Sequence, residues 1–278
     1  MAEMRMADYL DFVGDPGRDD VEGWLYPTDA HLMSVVNDLQ VDRGFRGDVL
    51  EIGAYKGKSA ILLGFFPEAG ESLTVCDIFD SGAPVSDGNA RENTAFYPGL
   101  LQTDFEKNYL RFHDRLPRVH VGPSEELGEI VAPGSCRLVH IDGGHTYEVA
   151  RADMETARRA LGPAGIVVVD DWSSAHIPGV AMALWERYLT GELIPLAFTK
   201  GKFYATWDPA GLTAGEVADA VATRPGIEAS GTVRLGRYAA AGVTMTPGDW
   251  QRYNAGLRAV YSKLYADGGA SAPQRVGF

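Results

Sequence analysis

The chain has 278 residues, of which 45% are hydrophobic and 23% charged, and its formal charge is −13. That length is enough to bury a full core, and one domain with extensions is more economical than two separate domains. The acidic balance argues against nonspecific binding to nucleic acid or to an anionic membrane, and it favours a neutral, cationic or metal-chelated small molecule.

The first residues, Met1 to Asp8, contain acids and lack an apolar core of signal-peptide length, and no apolar run reaches the roughly 18 residues of a membrane span. A cytoplasmic protein is the expectation. A Gly/Asp/Pro-rich leader near Gly14 to Gly23 precedes Thr28 and Asp29, which can cap a helix running to about Arg43. A repeating order then begins. Strands are predicted at Asp48–Ile52, Leu73–Ile78, Arg118–Val121, Cys136–Asp142 and Gly165–Asp170. Helical patterns near Lys58–Phe66, Leu101–Asp114, Glu125–Val131, Glu148–Leu161 and Val180–Leu189 alternate with them. The run Ile166 to Val169 is apolar on both faces, as in a central parallel strand covered by helices on each side. The alternation implies an α/β fold with a Rossmann-like, doubly wound sheet, mostly parallel. Leu193–Thr199 and Phe203–Trp207, around Lys200-Gly201-Lys202, predict a closing antiparallel hairpin.

Cys76 and Cys136 fall in predicted buried strands, where small buried thiols are expected. Ser81–Gly99, rich in Gly, Pro, Asn and Asp, is long enough to be a lid or binding loop. Residues 208–278 carry helical patterns near Thr213–Ala222 and Pro247–Tyr265 and a loose tail, suiting either a substrate-side cap or an oligomerisation arm. The division expected is therefore a leader and helix over 1–47, a central domain over 48–207 and an extension over 208–278, with a homo-oligomer plausible.

In an open α/β sheet the ligand sits outside the carboxyl ends of the strands. The residues there are Glu51 and Gly53, then Asp77, then Gly122 to Glu125, then Asp142 to His145, then Asp170 and Asp171. Gly53 and Gly57 allow a tight turn and close approach of a ligand to the main chain, and the following helix points unpaired N–H groups at the same place. Asp77 is placed to accept hydrogen bonds from ribose hydroxyls, or to form an ordinary turn. Consecutive strand residues face opposite ways, so Asp170 and Asp171 serve one site only if the strand has ended there. With Asp142 they make three carboxylates that would repel one another, a difficulty that a hard cation such as magnesium or manganese removes. A capping role for Asp171 and a solvated Asp170 is the alternative. His145, carried by the Gly143-Gly144 turn, suits a general base, with a fourth metal ligand as the competing role. His140 and the remaining histidines are assigned structural roles.

The run Val49 to Ala60 resembles the first motif of class I S-adenosylmethionine-dependent methyltransferases, and especially that of catechol O-methyltransferases. Val121-Gly122-Pro123-Ser124-Glu125 resembles their adenine-side turn, and Asp142 with Asp170-Asp171 their magnesium ligands, where catechol enzymes generally have Asp then Asn at the last two positions. Val139 to Glu148 is closer still to the macrocin-type sugar O-methyltransferases of macrolide and aminocoumarin pathways. The resemblance implies a first turn (Glu51, Gly53, Ala54, Tyr55, Ser59) holding the methionine part of S-adenosyl-L-methionine. It implies Asp77 at the ribose, Gly122, Ser124 and Glu125 at the adenine, and Asp142 beside both cofactor and metal. It implies a magnesium ion, with manganese possible, on Asp142, Asp170 and Asp171, and His145 as base. The activity implied is in-line methyl transfer to a hydroxyl of a small molecule, a sugar or another natural product. The first rival is a protein of the same fold that binds the cofactor without transferring methyl, in an isomerase-like or hydroxylase-supporting role. A nicotinamide dehydrogenase ranks low, because Gly53 and Gly57 are not spaced as G-x-G-x-x-G. Phe96, Tyr97, Trp172 and Trp207 either meet the acceptor or belong to the core.

Overall fold

A computed structural model describes residues 4–82, 90, 97 and 99–266. Its sheet has nine strands: β1 (Asp48–Ile52), β2 (Leu73–Asp77), β3 (Arg118–Val121), β4 (Cys136–Ile141), β5 (Leu161–Val169), β6 (Ile194–Phe198), β7 (Phe203–Thr206), β8 (Ile227–Leu235) and β9 (Tyr238–Met245). Their order is β3-β2-β1-β4-β5-β7-β6-β9-β8. The first five pair in parallel, and β7 runs antiparallel between β5 and β6. The Rossmann-like expectation and its antiparallel closing hairpin hold.

Alternation along the strands explains the layering. Val49, Leu138, Ile166 and Val168 enter one apolar cluster, with α1 (Met6–Val13), α2 (Pro27–Asp42), α3 (Lys58–Leu63), α4 (Gln102–Tyr109) and, late in the chain, Ala214–Val221. Their neighbours Leu50, Val139, Val167 and Val169 face the other way, onto α5 (Leu127–Ile130), α6 (Tyr147–Ala160) and α7 (Pro178–Leu189). Strands buried on both faces need helices on both, and each fully buried aliphatic side chain contributes about 1.5–3 kcal/mol. Cys76 and Cys136 are buried and free. Among the described residues no helix is long and apolar enough to cross a membrane.

Three features differ from the sequence reading. The leader contains a helix, α1, which buries Tyr9, Leu10, Phe12 and Val13. α2 begins at Pro27 with Tyr26 as its N-cap, so Thr28 and Asp29 do not cap it; Asp29 lies in the first turn and is buried. Beyond 207 the chain adds Ala214–Val221 (α8) and Pro247–Ala266 (α9) as expected, but between them β8 and β9 form a hairpin that joins the sheet by parallel pairing of β9 with β6. Most of Ser81–Gly99, expected to be a lid or binding loop, falls at positions 83–89, 91–96 and 98, outside the described residues, as does Phe96.

The order of strands reverses between β1 and β4, because the chain winds outward from β1 through β2 and β3 before returning to β4. Gly53 and Asp142, which follow those two strands, are pressed together there. A Cβ on Gly53, whose φ is +82°, would stand 1.9 Å from the Asp142 carbonyl oxygen. Only glycine fits.

Candidate functional site

A cavity of about 500 Å³ opens at this switch point. Its walls come from Gly53, Ala54, Tyr55 and Ser59 after β1, Asp77 at the end of β2, Gly122, Ser124 and Glu125 after β3, and Asp142 after β4. Nine of the ten residues expected at the cofactor therefore surround one space. Glu51 is the exception. Its side chain is fully buried beneath the floor, and Oε1 lies 2.9 Å from His140 Nδ1.

Asp77 does more than face the cavity. Its Oδ2 accepts the amide N–H groups of Ala54 (2.7 Å) and Tyr55 (2.9 Å), while Oδ1 accepts that of Phe79 (2.9 Å). Those bonds favour the carboxylate, yet burial outweighs them and holds its pKa above the usual value. Asp77 thus fixes the first turn in a form where Tyr55 takes φ +49° and Gly57 φ +92°. The leader supplies a further wall that the sequence did not announce, Glu22 to Leu25. It is tied down by Lys58 Nζ to Asp19 Oδ2 (2.5 Å) and by Lys56 Nζ to Glu22 Oε2 (2.8 Å). Trp24, Tyr55 and Tyr97 cluster at the rim with ring centroids 5.3–6.1 Å apart. Trp172 instead packs on Trp185, Phe198 and Phe203, and Trp207 lies against the same apolar layer.

The acidic residues meet on the far side of Asp142. Asp171 takes a left-handed φ of +57°, which turns the chain out of β5 and brings its carboxylate to the side that Asp170 faces. Two overlapping groups result, His140–Asp142–Asp170 and Asp142–His145–Asp171, each with ligand atoms within 4.8 Å of one another. His145 Nε2 stands 3.2 Å from Asp171 Oδ2, and Ser174 donates to Asp171 Oδ1 at 2.6 Å. Burial pushes the Asp171 carboxyl up, but the bonds from His145 and Ser174 prevail and hold it below its ordinary value. The turn carrying His145 is fixed on both sides. Thr146 caps α6, and a Cβ on Gly179 at the start of α7 would strike the His145 carbonyl at 2.4 Å.

The expected mutual repulsion of these carboxylates has a resident answer that the sequence reading missed. Lys202 is fully buried, with Nζ 2.7 Å from Asp170 Oδ2, 4.0 Å from Asp142 Oδ2 and 2.9 Å from His140 Nε2. Burial opposes its charge, but Asp170, Asp142 and Asp29 outweigh burial and keep the ammonium charged. Because Lys202 donates to Nε2, His140 must carry its proton on Nδ1 and donate it to Glu51. Burial and then Lys202 push the His140 pKa well down, in keeping with a neutral ring. Burial lifts Glu51 to about 8 and Asp29 to about 6, and burial followed by Asp170 drives Asp142 well above its ordinary value. Asp29, assigned a capping role from sequence, belongs instead to this buried network, and His140 sits in it as a fully buried, hydrogen-bonded side chain, in keeping with the structural role expected of it. One signal was available. An antiparallel strand beside β5 must begin where β5 ends, so the residue just before β7 arrives at the site.

Residues 50–172 match the family model described as a methyltransferase domain. No curated protein matches the chain. Among solved structures, the O-methyltransferase NovP is similar at 17% identity with a TM-score of 0.51, covering 72% of this chain and 96% of that one. CalS11, a TDP-rhamnose 3′-O-methyltransferase of calicheamicin biosynthesis, is similar at 19% identity (TM-score 0.40; 64% and 78% covered). So is an O-methyltransferase from Bacillus cereus, at 15% identity (TM-score 0.43; 72% and 88% covered). The likeness to NovP is one of fold. The similarity to a methyltransferase domain covers residues 50–172, less than half of the chain.

Proposed function

We propose that the chain transfers a methyl group from S-adenosylmethionine to a hydroxyl of a small molecule, a sugar or another natural product, with a divalent cation, magnesium or manganese, bound beside the acceptor. The observation that carries this reading is the shared position of Asp142. It closes the cavity lined by Gly53, Asp77 and Ser124, and it belongs to both acidic groups. A methyl donor in the cavity and an acceptor at the acidic group would therefore meet across one residue. The matched methyltransferase domain and the fold shared with NovP support the same reaction class.

Carboxylate oxygens and an imidazole nitrogen within 4.8 Å fit a small hard cation whose ligand bonds are roughly 2.0–2.6 Å long. Asp142 and Asp171 would hold it, while Asp170 is engaged by Lys202. When bound, such an ion stabilises negative charge developing on an acceptor oxygen. The remaining work falls to the chain itself. His145, with Nε2 donating to Asp171, takes the hydroxyl proton at its other ring nitrogen, Nδ1. Asp77 holds the Ala54–Tyr55 turn against which the donor's methionine end would lie, and Trp24, Tyr55 and Tyr97 screen the rim from water. Positioning and electrostatic stabilisation then supply most of the rate.

Calorimetric titration of chelator-treated protein with S-adenosylmethionine, with and without magnesium, tests the first half. Release of S-adenosylhomocysteine with a panel of hydroxylated sugars and aglycones tests the second. Absence of binding under every condition overturns the reading. Binding without turnover on any acceptor leaves a cofactor-binding protein in its place.

A further inference from the structure

The two groups of ligand atoms that share Asp142 differ in access. His140, Asp142 and Asp170 form an inner group, and Asp142, His145 and Asp171 an outer one. The side chains of His140 and Asp170 are 0% and 9% exposed, those of Asp142 and Asp171 28% and 29%. A free ion or an acceptor arriving from solvent therefore meets the outer group.

The inner group already surrounds a cation. Lys202 Nζ lies 2.7 Å from Asp170 Oδ2, 2.9 Å from His140 Nε2 and 4.0 Å from Asp142 Oδ2, so all three residues of that group turn toward it. The ammonium donates to Asp170 and to His140, which takes up the only lone pair of that imidazole, while its other nitrogen donates to Glu51. His140 has no nitrogen left for a metal ion. The lysine is also fixed from its backbone. Its amide donates to Thr199 Oγ1 at 2.9 Å, its carbonyl accepts from the Thr199 amide at 2.9 Å, and the Thr199 hydroxyl is itself held by Asp29.

We propose that Lys202 is the built-in occupant of the inner position. It withholds Asp170 and His140 from a free ion and confines the exchangeable cation, and with it the acceptor oxygen, to the outer group of Asp142, His145 and Asp171. Lys202 is thus a positioning residue, which acts by deciding where the ion sits. This deepens the cation half of the reading above and rests on it, and it departs from the resemblance to catechol enzymes, which puts all three aspartates on the ion. A fixed ammonium beside an ion site also opposes the ion by like charge. Its removal should strengthen ion binding, whereas loss of a residue that merely supports the fold would weaken it.

The test is manganese binding to the chelator-treated whole protein, followed by electron paramagnetic resonance. With Lys202 in place, Asp170→Asn is expected to change manganese affinity by less than about threefold, and Asp171→Asn to weaken it by about tenfold or more. Lys202→Met removes the competing charge and frees the inner oxygens. Manganese should then bind at least about tenfold more tightly, and should raise the melting temperature of this variant by more than it raises that of wild type. Adding Asp170→Asn to Lys202→Met should cancel the gain. Equal weakening by Asp170→Asn and Asp171→Asn makes Asp170 a ligand of the ion and overturns the inference, even where Lys202→Met fails to fold. Manganese bound no more tightly by folded Lys202→Met overturns it as well. Absence of manganese binding in the wild type removes the cation reading and this inference with it, while the methyl donor is judged separately by its own titration.

Discussion

Lys202 Nζ and Asp170 Oδ2 meet at 2.7 Å with their side chains 1% and 9% exposed, so the carboxylates of the candidate acceptor side rest on a cation that the chain provides. Deleting one partner of a buried pair strands the other, at a cost of about 3–5 kcal/mol. Lys202→Met is therefore expected to lose several kcal/mol in urea unfolding at neutral pH. Without the ammonium, which opposes the rise of the Asp142 pKa, that carboxyl is driven further up, and the folded variant binds more protons than its unfolded chain. Its deficit relative to wild type should shrink as the pH falls toward 4. A deficit independent of pH would deny the pairing its electrostatic character.

His145→Ala should lower turnover by about 10²–10⁴-fold, the range of a lost general base. Affinity for the methyl donor should change little, because His145 is absent from the cavity wall. Single-turnover kinetics beside calorimetry separates the two quantities. Undiminished turnover would remove His145 from the reaction.

Asp77→Asn keeps the shape of the side chain but places an NH₂ group against the N–H groups of either Ala54 and Tyr55 or Phe79. Donor affinity is expected to fall by tenfold or more, with a lower melting temperature from the loosened turn. Retention of both would mean that the turn holds itself.

Asp142→Asn and Asp171→Asn each remove a charged oxygen from the group expected to hold a cation. Both should weaken manganese binding measured by electron paramagnetic resonance, and both should blunt any stimulation of turnover by magnesium after chelation. Full magnesium-stimulated activity in Asp142→Asn would show that the ion binds elsewhere.

Asp153 makes a pH-dependent demand on stability. Its carboxyl is raised from 3.8 to about 7 by burial, so the folded state favours the protonated form. That contribution is fully present below about pH 4 and is lost as the pH rises through 7, a change of about 4 kcal/mol by linkage. Asp153→Asn, neutral throughout, should gain stability over wild type between about pH 4 and 7 and level off above that in ligand-free thermal melts. A difference that is flat with pH contradicts the buried charge.

The sequence was most legible where structure follows periodicity and local turn chemistry. Strands β1 and β3 match the expected bounds, and the others in the parallel set share most of their predicted residues. The glycine turn and the strand-end residues converge on the cavity because their side of the fold obeys a simple topological rule. Asp29, Lys202 and Asp153 were illegible for a common reason. Each sits at a position whose local pattern is ordinary, a first helical turn, a hairpin or a helix face, and only packing over long separations makes it part of a site. The β8–β9 hairpin escaped for a different reason. Its Ala, Gly, Ser and Thr content gives little alternation to read, and its burial comes from neighbours such as β6 and α8.

The antiparallel course of β7 also sets the order in which the molecule can be completed. Thr199 donates its hydroxyl to Asp29 across 170 residues of sequence, and Lys202 follows three positions later. A nascent chain that has emerged from the ribosome only as far as Asp170, just past β5, already contains Asp29, Glu51, Asp142 and Asp170, but not the ammonium that reconciles them. Closure of these carboxylates in charged form into a dry interior is favoured only once the hairpin arrives, so β7, which β8 and β9 follow into the sheet, acts as a latch on its assembly.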